Sequence, residues 1–167
     1  MQALSEFKKA STNDIDLIIS LAKKSWEKAY SQILSPEQIS YMLQTMYSKI
    51  QLEKEMKTPH FHYQLIFLED HPIGFIGYEH HYELGVTKLH RLYLLEKAKG
   101  FGIGKLALNF VAEEAKKNQN KRLILNVNKN NTAKKFYENF GFSTYDEGVF
   151  DIGEGFVMDD FLMEYFI

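Results

Sequence analysis

Three glycines at alternate positions, set between an apolar segment and an amphipathic one, constrain the fold of this chain most. Gly100, Gly102 and Gly104 follow an apolar run at 89–95 and a charged, turn-like segment at 96–99. Beyond the glycines, apolar residues recur at helical spacing, namely Ile103, Leu106, Ala107, Phe110, Val111 and Ala115. The pattern predicts a strand, a tight glycine loop and a helix.

This loop is suited to bind a phosphate group. Glycine has no Cβ, so the backbone can turn sharply and its amides stay unshielded. The first turn of the helix adds unpaired amides and the positive end of the helix dipole. We therefore expect the backbone of residues 100–105 to bind the pyrophosphate of a nucleotide-containing cofactor.

Two common nucleotide-binding motifs fit the loop poorly. A P-loop needs two glycines five positions apart, then Lys and Ser or Thr, but Lys105 is not followed by either hydroxyl residue. Gly102, Gly104 and Ala107 do match the G-x-G-x-x-A spacing of a dinucleotide-binding fold. However, segment 125–129 lacks the acidic residue that would hold the ribose, and the chain has a single strand–helix–strand unit. A dinucleotide site is therefore disfavoured.

Length and composition limit the class of protein. A chain of 167 residues predicts one domain, residues 1–167, with a substantial core. The net charge of −2 argues against nucleic-acid binding, and no apolar run reaches the roughly 20 residues that span a bilayer. The absence of cysteine excludes disulfides, thiolate metal sites and a cysteine nucleophile. Together with an N-terminus unlike a secretory signal, these features predict a cytoplasmic protein without a metal, and with no nucleic-acid or membrane partner.

The remaining chain shows a helical half followed by a strand-rich half. Helix starts are predicted at residues 12–14, at Ser35–Pro36 and at Ser48, and a last helix runs from 130–132 to Gly141. Strands are predicted at 3–9, 63–68, 73–78, 89–95, 121–127, 142–150 and 156–166. Segment 26–30, with Trp26 and Tyr30, falls between the first two helices and fills the core or lines a substrate pocket. The order predicts an α+β fold (α/β in some schemes), a single domain with a mostly antiparallel sheet of about seven strands flanked by helices.

Two motifs resemble those of the GNAT superfamily of N-acetyltransferases. The family signature Gln/Arg-x-x-Gly-x-Gly/Ala is matched by residues 99–104, except that Lys99 stands at its first position. Residues 131–142 resemble a second family motif, N-x-A-x-x-F-Y-x-x-x-G-F. The motifs come in the family's order, separated by one helix and one strand. The resemblance implies acetyl transfer from acetyl-CoA to an amine, in a sheet that is splayed at the acetyl-CoA site.

The resemblance also implies how acetyl-CoA is bound. Pantetheine would pair with the strand backbone of Leu92, Tyr93 and Leu94. The amides of the loop would hold the pyrophosphate, from Gly100 through Phe101, Gly102, Ile103 and Gly104 to Lys105. Lys99 keeps the signature's positive charge but not its bidentate fork. Asn131 would bind the pantetheine arm or cap a helix, and Lys134 would reach a phosphate or remain solvated.

The implied chemistry needs a proton donor and a proton acceptor. Tyr137 would donate a proton to the departing CoA thiolate, although the same residue fits a core position beside Phe136 and Phe140. The base is open: His90 is the first candidate, since it alternates in phase with Leu92 and Leu94 and imidazole titrates in the useful range. Further candidates end the preceding strand, namely Glu79, His80 and His81.

The acceptor is indicated by an acidic C-terminal segment. Residues 151–160 interleave carboxylates with aromatics and, like segment 89–95, are similar to PaiA-type polyamine acetyltransferases. We expect Glu154, Asp159 or Asp160 to select a small cationic amine such as spermidine, unless these charges are simply solvated. A non-catalytic acyl-CoA sensor is the alternative, but such a protein would not need the phenol of Tyr137. Exposed edge strands are compatible with a homodimer.

Overall fold

Helices come first along the chain, and strands make up most of the remainder. The computed structural model describes residues 4–167. In this range the α-helices are α1 (Ile15–Ala29), α2 (Pro36–Met46), α3 (Lys49–Lys57), α4 (Ile103–Lys117) and α5 (Ala133–Phe140). The strands are β1 (Ser5–Lys9), β2 (Phe61–Leu68), β3 (His71–Glu83), β4 (Val86–Leu94), β5 (Arg122–Asn128), β6 (Ser143–Gly153) and β7 (Phe156–Phe166).

The strands form one mixed sheet in the order β1-β2-β3-β4-β5-β7-β6. All neighbouring strands are antiparallel except β4 and β5, which are parallel and joined through α4. A parallel pair needs a crossover, and the glycine loop with its helix supplies it. The predicted α+β fold, with a mostly antiparallel sheet and one central strand–helix–strand unit, is confirmed.

Helices cover both faces of the sheet and create two apolar cores. On one face, α4 packs its stripe against the sheet, with Ala107, Leu108 and Val111 fully buried. On the other face, α1, α2 and α3 enclose a core around Trp26 and Phe75. Burial of a large apolar side chain such as Leu108, Val111 or Phe75 contributes about 1.5–3 kcal/mol. Within residues 4–167, no helix is both long and apolar enough to cross a lipid bilayer.

The helix starts follow the sequence signals, but segment 26–30 does not behave as predicted. Ser35 and Ser48 accept hydrogen bonds from backbone amides three residues later and cap α2 and α3. The structure extends α1 to Ala29, so the prediction that Trp26 lies between helices is wrong. Trp26 continues the buried face of α1 at helical spacing after Ile18 and Ala22, and it packs against the rings of Tyr30, Tyr47 and Tyr93.

Several strand boundaries also differ from prediction. The turn predicted at 69–72 is only the pair Glu69–Asp70, both with positive φ, and β3 already begins at His71. In the last hairpin, β6 continues to Gly153, so the connection to β7 is shorter than predicted. Cross-strand pairing extends strands through residues of low strand propensity. The predicted first strand 3–9 is found as β1, and its residue 3 lies outside the described residues.

β4 and β5 separate soon after they meet. Their parallel pairing covers only Val86–Lys88 against Arg122–Ile124. Beyond these residues the two strands diverge, and the β4 backbone from Leu89 onward has no strand partner on that side. The predicted splay of the sheet is therefore present, between the glycine loop and the C-terminal hairpin.

A β-bulge lies in β4 at the point of divergence. Gly77 pairs with Arg91, but the next residue of β3, Tyr78, pairs with Leu89. His90 is thus the extra residue, without an opposite partner in β3. Bulges bend and twist a strand, so this one helps to direct β4 away from β5.

The bulge also determines which face His90 occupies. Simple alternation predicts His90 on the same face as Leu92 and Leu94. Instead, His90 stacks on Phe61 with ring centroids 4.8 Å apart, and Phe61 packs against the core beneath α1. Leu92 and Leu94 pack against the opposite core. The predicted phase is wrong because the bulge interrupts the alternation.

Candidate active site

Connected cavities follow the gap between β4 and β5. We call the middle one, of about 180 Å³, the central cavity; Leu92, Tyr93, Asn131 and Tyr137 are among its lining residues. The outer cavity, about 390 Å³, shares Ser25, Ala29, Leu94, Asn131 and Ala133 with it and reaches Lys99. The inner pocket, about 250 Å³, shares Tyr30, Leu89, His90, Tyr93 and Asn126 with it and ends at Asp160. The three form a continuous groove across the sheet.

The glycine loop stands at the outer end of this groove. Gly100 and Gly102 have φ of 88° and 69°, a left-handed conformation that side chains disfavour. Nothing lies within 4 Å of the position that a Cβ would occupy at either glycine, so this side of the loop is open. The first intrahelical bond of α4 runs from the Leu106 amide to the Gly102 carbonyl, which leaves the amides of residues 103–105 free of helical partners.

Gly104 serves a different purpose in the same loop. A Cβ at this position would lie 2.8 Å from the ring of Phe136, which belongs to α5. Only glycine therefore lets the start of α4 approach α5 this closely. The loop geometry fits a diphosphate: its unpaired amides converge at a helix N-terminus, as anion sites require.

Cationic side chains surround the outer cavity. Lys24 and Lys28, one turn apart on α1, line it together with Lys99. Lys99 also lies 3.4 Å from the carboxylate of Glu96 and is largely exposed. Sequence reasoning missed the two α1 lysines, although their spacing of four residues places them on one helical face. Their charges suit the phosphate-bearing end of a ligand.

The expected pantetheine contacts converge on the central cavity. Leu92, Tyr93 and Leu94 line it along the free edge of β4. The Asn131 side chain accepts a hydrogen bond of 2.9 Å from the Ala133 amide, so this residue supports the start of α5 and also lines the cavity. Lys134 is not among the lining residues; its ammonium lies 4.3 Å from the ring centroid of Phe161.

Tyr137 lies in α5 and lines the central cavity. Its ring packs against Phe136 and Phe142, which fixes the direction of the phenol. Burial, with a smaller contribution from Tyr93, raises the pKa of Tyr137 above the ordinary value near 10. The phenol therefore stays protonated at neutral pH, which is the form that a proton donor needs.

His90 lies where the central cavity meets the inner pocket. Burial, Lys88 and Arg91 together lower the pKa of His90 to about 3. The neutral ring can donate its Nε2–H to Glu79 Oε1, 3.0 Å away. His90 is therefore a weak base whose Nε2 is already engaged.

The other two histidine candidates lie away from the groove. His80 is buried and can donate from Nδ1 to Thr87 Oγ1 at 2.8 Å, because Thr87 donates onward to Asn120. His81 accepts at Nδ1 from the Asn120 amide at 3.0 Å. Neither ring lines the central cavity or the inner pocket.

The inner pocket combines apolar walls with one buried carboxylate, and Lys88, Asn126 and Asn128 also line it. Its walls include Trp26, Met42, Met46, Tyr93, Phe150 and Met158. Asp160 is 6% exposed, and its Oδ1 has no hydrogen-bond partner among the described residues. Burial and the charge of Asp159 raise the pKa of Asp160 to about 6, while Asn126 and Lys88 act in the opposite direction. Among the residues described, no other carboxylate lines this pocket.

The three acidic candidates thus have different environments. Glu154 is exposed in the turn between β6 and β7. Asp159 is also exposed and forms an ion pair with Lys129 at 3.0 Å. Only Asp160 among the three lines the groove.

Aromatic hydroxyls connect the two inner compartments. Tyr30 and Tyr93 have their phenolic oxygens 3.3 Å apart, and both residues line the central cavity and the inner pocket. Trp26 packs on both rings. Trp26 and Tyr30 therefore fill the core, as one interpretation predicted, and they also line a cavity.

The fold, the splayed strands and the glycine loop at a helix N-terminus define an acyl-CoA-dependent N-acetyltransferase. The model of the Acetyltransferase (GNAT) family matches residues 18–142, and the chain belongs to this family. Membership carries acetyl-CoA binding and N-acetyltransferase activity. The groove has the free backbone and the unpaired amides that such a co-substrate requires.

Individual relatives extend over nearly the whole chain. The spermidine N(1)-acetyltransferase of Thermoplasma acidophilum is 30% identical over 167 aligned residues, covering 92% of this chain and 95% of the relative. The crystal structure of the PaiA N-acetyltransferase from the same organism, in complex with coenzyme A, superimposes with a TM-score of 0.83 at 27% identity, covering 98% and 99% of the two chains. A GCN5-related N-acetyltransferase from Rhodopseudomonas palustris shares the fold, with a TM-score of 0.83 at 14% identity and coverage of 100% and 98%.

Proposed function

We propose that this protein acetylates a primary amino group of a cationic aliphatic amine such as spermidine, by direct attack on acetyl-CoA in a ternary complex. The observation that carries the proposal is the inner pocket, where a single buried carboxylate, Asp160, lies behind apolar walls and opens toward Tyr137. A buried carboxylate with an unpartnered oxygen is costly, and an incoming ammonium relieves that cost.

The pocket walls suit the methylene segments of such an amine. Trp26 and Tyr93 offer flat apolar surface, and Met42, Met46 and Met158 adapt to a flexible chain. A ligand with aliphatic segments between charges can thus bury its carbon atoms here. A strongly polar acceptor would leave these walls unused.

The surrounding charge favours more than one cationic group. The β6–β7 hairpin carries carboxylates and no Lys or Arg between 143 and 166; they are Asp146, Glu147, Asp151, Glu154, Asp159, Asp160 and Glu164. Its strand β7 borders the inner pocket through Met158 and Asp160. Lys129 pairs with Glu147 and Asp159, and Arg122 pairs with Glu164, so the remaining carboxylates of the hairpin supply the potential that attracts cations. The printed activity of the Thermoplasma relative, spermidine N(1)-acetylation, supports the same class of acceptor.

The order of chemical steps follows from the side chains present. The chain has no cysteine, so a thiol acyl-enzyme is excluded and the amine attacks the thioester carbonyl directly. The backbone of Leu92–Leu94 would align the pantetheine arm, and the amides of residues 100–105 would hold the diphosphate. As the C–S bond breaks, Tyr137 would donate its phenolic proton to the thiolate.

An amine panel tests the proposal. Thiol release from acetyl-CoA is followed with spermidine, putrescine, hexylamine and β-alanine, and the acetylated product is identified by mass. We expect kcat/KM for spermidine to exceed that for hexylamine by about 10-fold or more, because hexylamine has the methylene chain but one charge only. The advantage should decrease as ionic strength rises. Equal rates for hexylamine, a preference for β-alanine, or no turnover of any cationic amine would overturn the proposal.

A further inference from the structure

The acceptor amine must lose protons during the reaction, and a group in the groove must accept them. A free alkylamine has a pKa near 10.4, so it arrives protonated at neutral pH and cannot attack. Once the nitrogen bonds to the thioester carbon, it must lose a proton for the amide to form. A side chain at the acceptor end of the groove, close to the free edge of β4, is therefore required.

Asp160 is placed at that end. Its strand, β7, lies between β5 and β6, with Asn128 and Gly148 opposite Asp160 in the two ladders. The side chain lines the inner pocket together with His90, Tyr93 and Asn126, and those three residues also line the central cavity. Asp160 thus belongs to the wall of the pocket that adjoins the central cavity, by which an amine would reach the thioester.

The other candidate bases at the groove are weaker proton acceptors than Asp160. His90 Nε2 is engaged with Glu79 Oε1 at 3.0 Å, which leaves Nδ1 as the acceptor of this ring. Burial beside two cations makes the ring of His90 a poor proton acceptor. Tyr30 and Tyr93 are buried, which raises the pKa of each phenol, so neither becomes a phenolate base at neutral pH.

On the basis of the proposed function, we infer that Asp160 is the catalytic base, which accepts the proton of the reacting amine. The ammonium binds as an ion pair with this carboxylate in the apolar pocket. There the loss of hydration favours neutral partners, and the proton moves from nitrogen to Asp160.

The protons of the bound ammonium can all be accounted for. Asp160 takes the first proton and releases it to water, and the neutral amine then forms the C–N bond as the carbonyl electrons move to oxygen. Asp160 takes a second proton from the bonded nitrogen. The carbonyl re-forms as the C–S bond breaks, and Tyr137 gives its phenolic proton to the CoA thiolate. Water returns a proton to Tyr137 and removes the one held by Asp160, so that ammonium and acetyl-CoA become amide, CoA thiol and one released proton.

Charged neighbours on the packed strands set the basicity of Asp160. Asp159, next to it on β7, raises its pKa, whereas Asn126 on β5 and Lys88 on β4 lower it. Lys129 and Glu147 affect Asp160 only indirectly, through Asp159. Lys129 lies 3.0 Å from Asp159 and 3.3 Å from Glu147. Substitution of Asp159 should therefore lower the pKa of Asp160, and substitution of Lys88 should raise it.

The test is the pH dependence of kcat with spermidine for the wild type and three variants. The wild type should lose activity as pH falls through about 6, the pKa of Asp160. In Asp160→Asn, kcat should fall about 10²–10³-fold and this acid limb should vanish. In Asp159→Asn the limb should move to lower pH, and in Lys88→Gln to higher pH. Calorimetric titration with CoA verifies that each variant is folded.

The outcomes separate this inference from the proposed function. If Asp160→Asn raises KM but keeps kcat and the acid limb, the carboxylate only anchors the amine and the inference is wrong. If His90→Ala instead abolishes the limb, His90 is the base. If the wild type turns over no cationic amine, the proposed function itself fails. If Asp160→Asn does not fold, the other two variants still test the inference. The acid limb of the kcat profile must move to lower pH in Asp159→Asn and to higher pH in Lys88→Gln. No shift, or a shift in the opposite direction, would contradict the inference.

Discussion

Arg91 and Glu55 form a buried ion pair that joins β4 to α3 directly beside the bulge. Arg91 Nη2 lies 3.1 Å from Glu55 Oε2, and Tyr63 donates to the other carboxylate oxygen at 2.6 Å. Arg91 also stacks on Tyr47, 4.2 Å from the ring centroid. The pair fixes the strand at the residue that follows His90, where β4 turns away from β5.

Loss of one partner of this pair should destabilise the protein strongly. Glu55→Ala leaves Arg91 buried without its counter-charge, and we expect the free energy of unfolding to fall by about 3–5 kcal/mol. Urea denaturation measures it. The matched control is Asp16→Ala, which breaks the exposed pair with Lys49 and should cost less than about 1 kcal/mol. Similar losses in both variants would contradict the structural role of the buried pair.

A single methyl group in the glycine loop should weaken coenzyme binding. Gly102→Ala is expected to raise the Kd of CoA by about 10-fold or more, because the new Cβ shields the amides that face the diphosphate. Gly85→Ala is the matched control: both glycines have φ near 70° and open space, but Gly85 lies in the β3–β4 turn. Each variant should lose about 1–2 kcal/mol of stability. If calorimetry shows that Gly85→Ala weakens CoA binding as much as Gly102→Ala does, the glycine loop does not bind the diphosphate.

Removal of one phenolic oxygen should slow the reaction without affecting coenzyme affinity. Tyr137→Phe is expected to lower kcat by about 10²-fold, since the thiolate loses its proton donor, while the Kd of CoA stays within about twofold. Tyr165→Phe is the control, because Tyr165 packs on Phe140 and Phe142 and does not line the groove. An unchanged kcat in Tyr137→Phe would show that another group, or water, protonates the thiol.

Asp160→Asn should stabilise the protein at neutral pH although it impairs catalysis. Burial raises the pKa of Asp160 to about 6 in the folded state, against about 3.9 when unfolded. The folded state thus prefers the protonated carboxyl, and its stability falls as pH rises from about 4 to about 6. We expect a gain of about 1–3 kcal/mol near pH 7 that disappears near pH 4. Equal destabilisation at both pH values, measured by urea denaturation, would show that the carboxylate is structural.

Acid should destabilise the fold through a buried histidine. Burial, reinforced by His62 and His81, lowers the pKa of His80 to about 4. As pH falls below about 6.5, the unfolded state binds a proton that the folded state does not, so stability decreases until about pH 4. His80→Asn should flatten this dependence, whereas His71→Asn, in an exposed position, should not. Part of the slope should remain in His80→Asn, because the pKa of His90 is also lowered. A slope in His80→Asn as steep as that of the wild type would contradict the role of His80.

Local patterns were enough to predict the strand, glycine loop and helix at residues 89–117 and the helix that contains Tyr137. Gly100, Gly102 and Gly104 lie within one short segment, and Tyr137 lies in a helix whose start and stop are marked in the sequence. Strand, loop and helix follow each other without a long-range contact, so periodicity and capping are enough to place them. The splayed edge at Leu92 followed from family resemblance and is present in the structure.

Prediction of the acceptor end would have required contacts between strands that are far apart in the sequence. The carboxylate of Asp160 becomes distinctive only because β7 inserts between β5 and β6 and places it in a pocket lined by Lys88 and Trp26. The pattern of residues does not distinguish Asp160 from Asp159, whose side chain is exposed. The bulge at His90 arises from the register between two strands, and alternation within β4 alone cannot reveal it.

The central claim is that Asp160 and Tyr137 act on opposite sides of one reacting carbonyl. A crystal structure with a bisubstrate analogue, in which CoA is joined through an acetyl linker to a primary nitrogen of spermidine, tests it directly. We expect that nitrogen to lie within about 2.6–3.2 Å of the Asp160 carboxylate, directly or through one water, and the sulfur to lie beside the Tyr137 phenol. A polyamine chain that leaves the groove without entering the inner pocket would contradict the account.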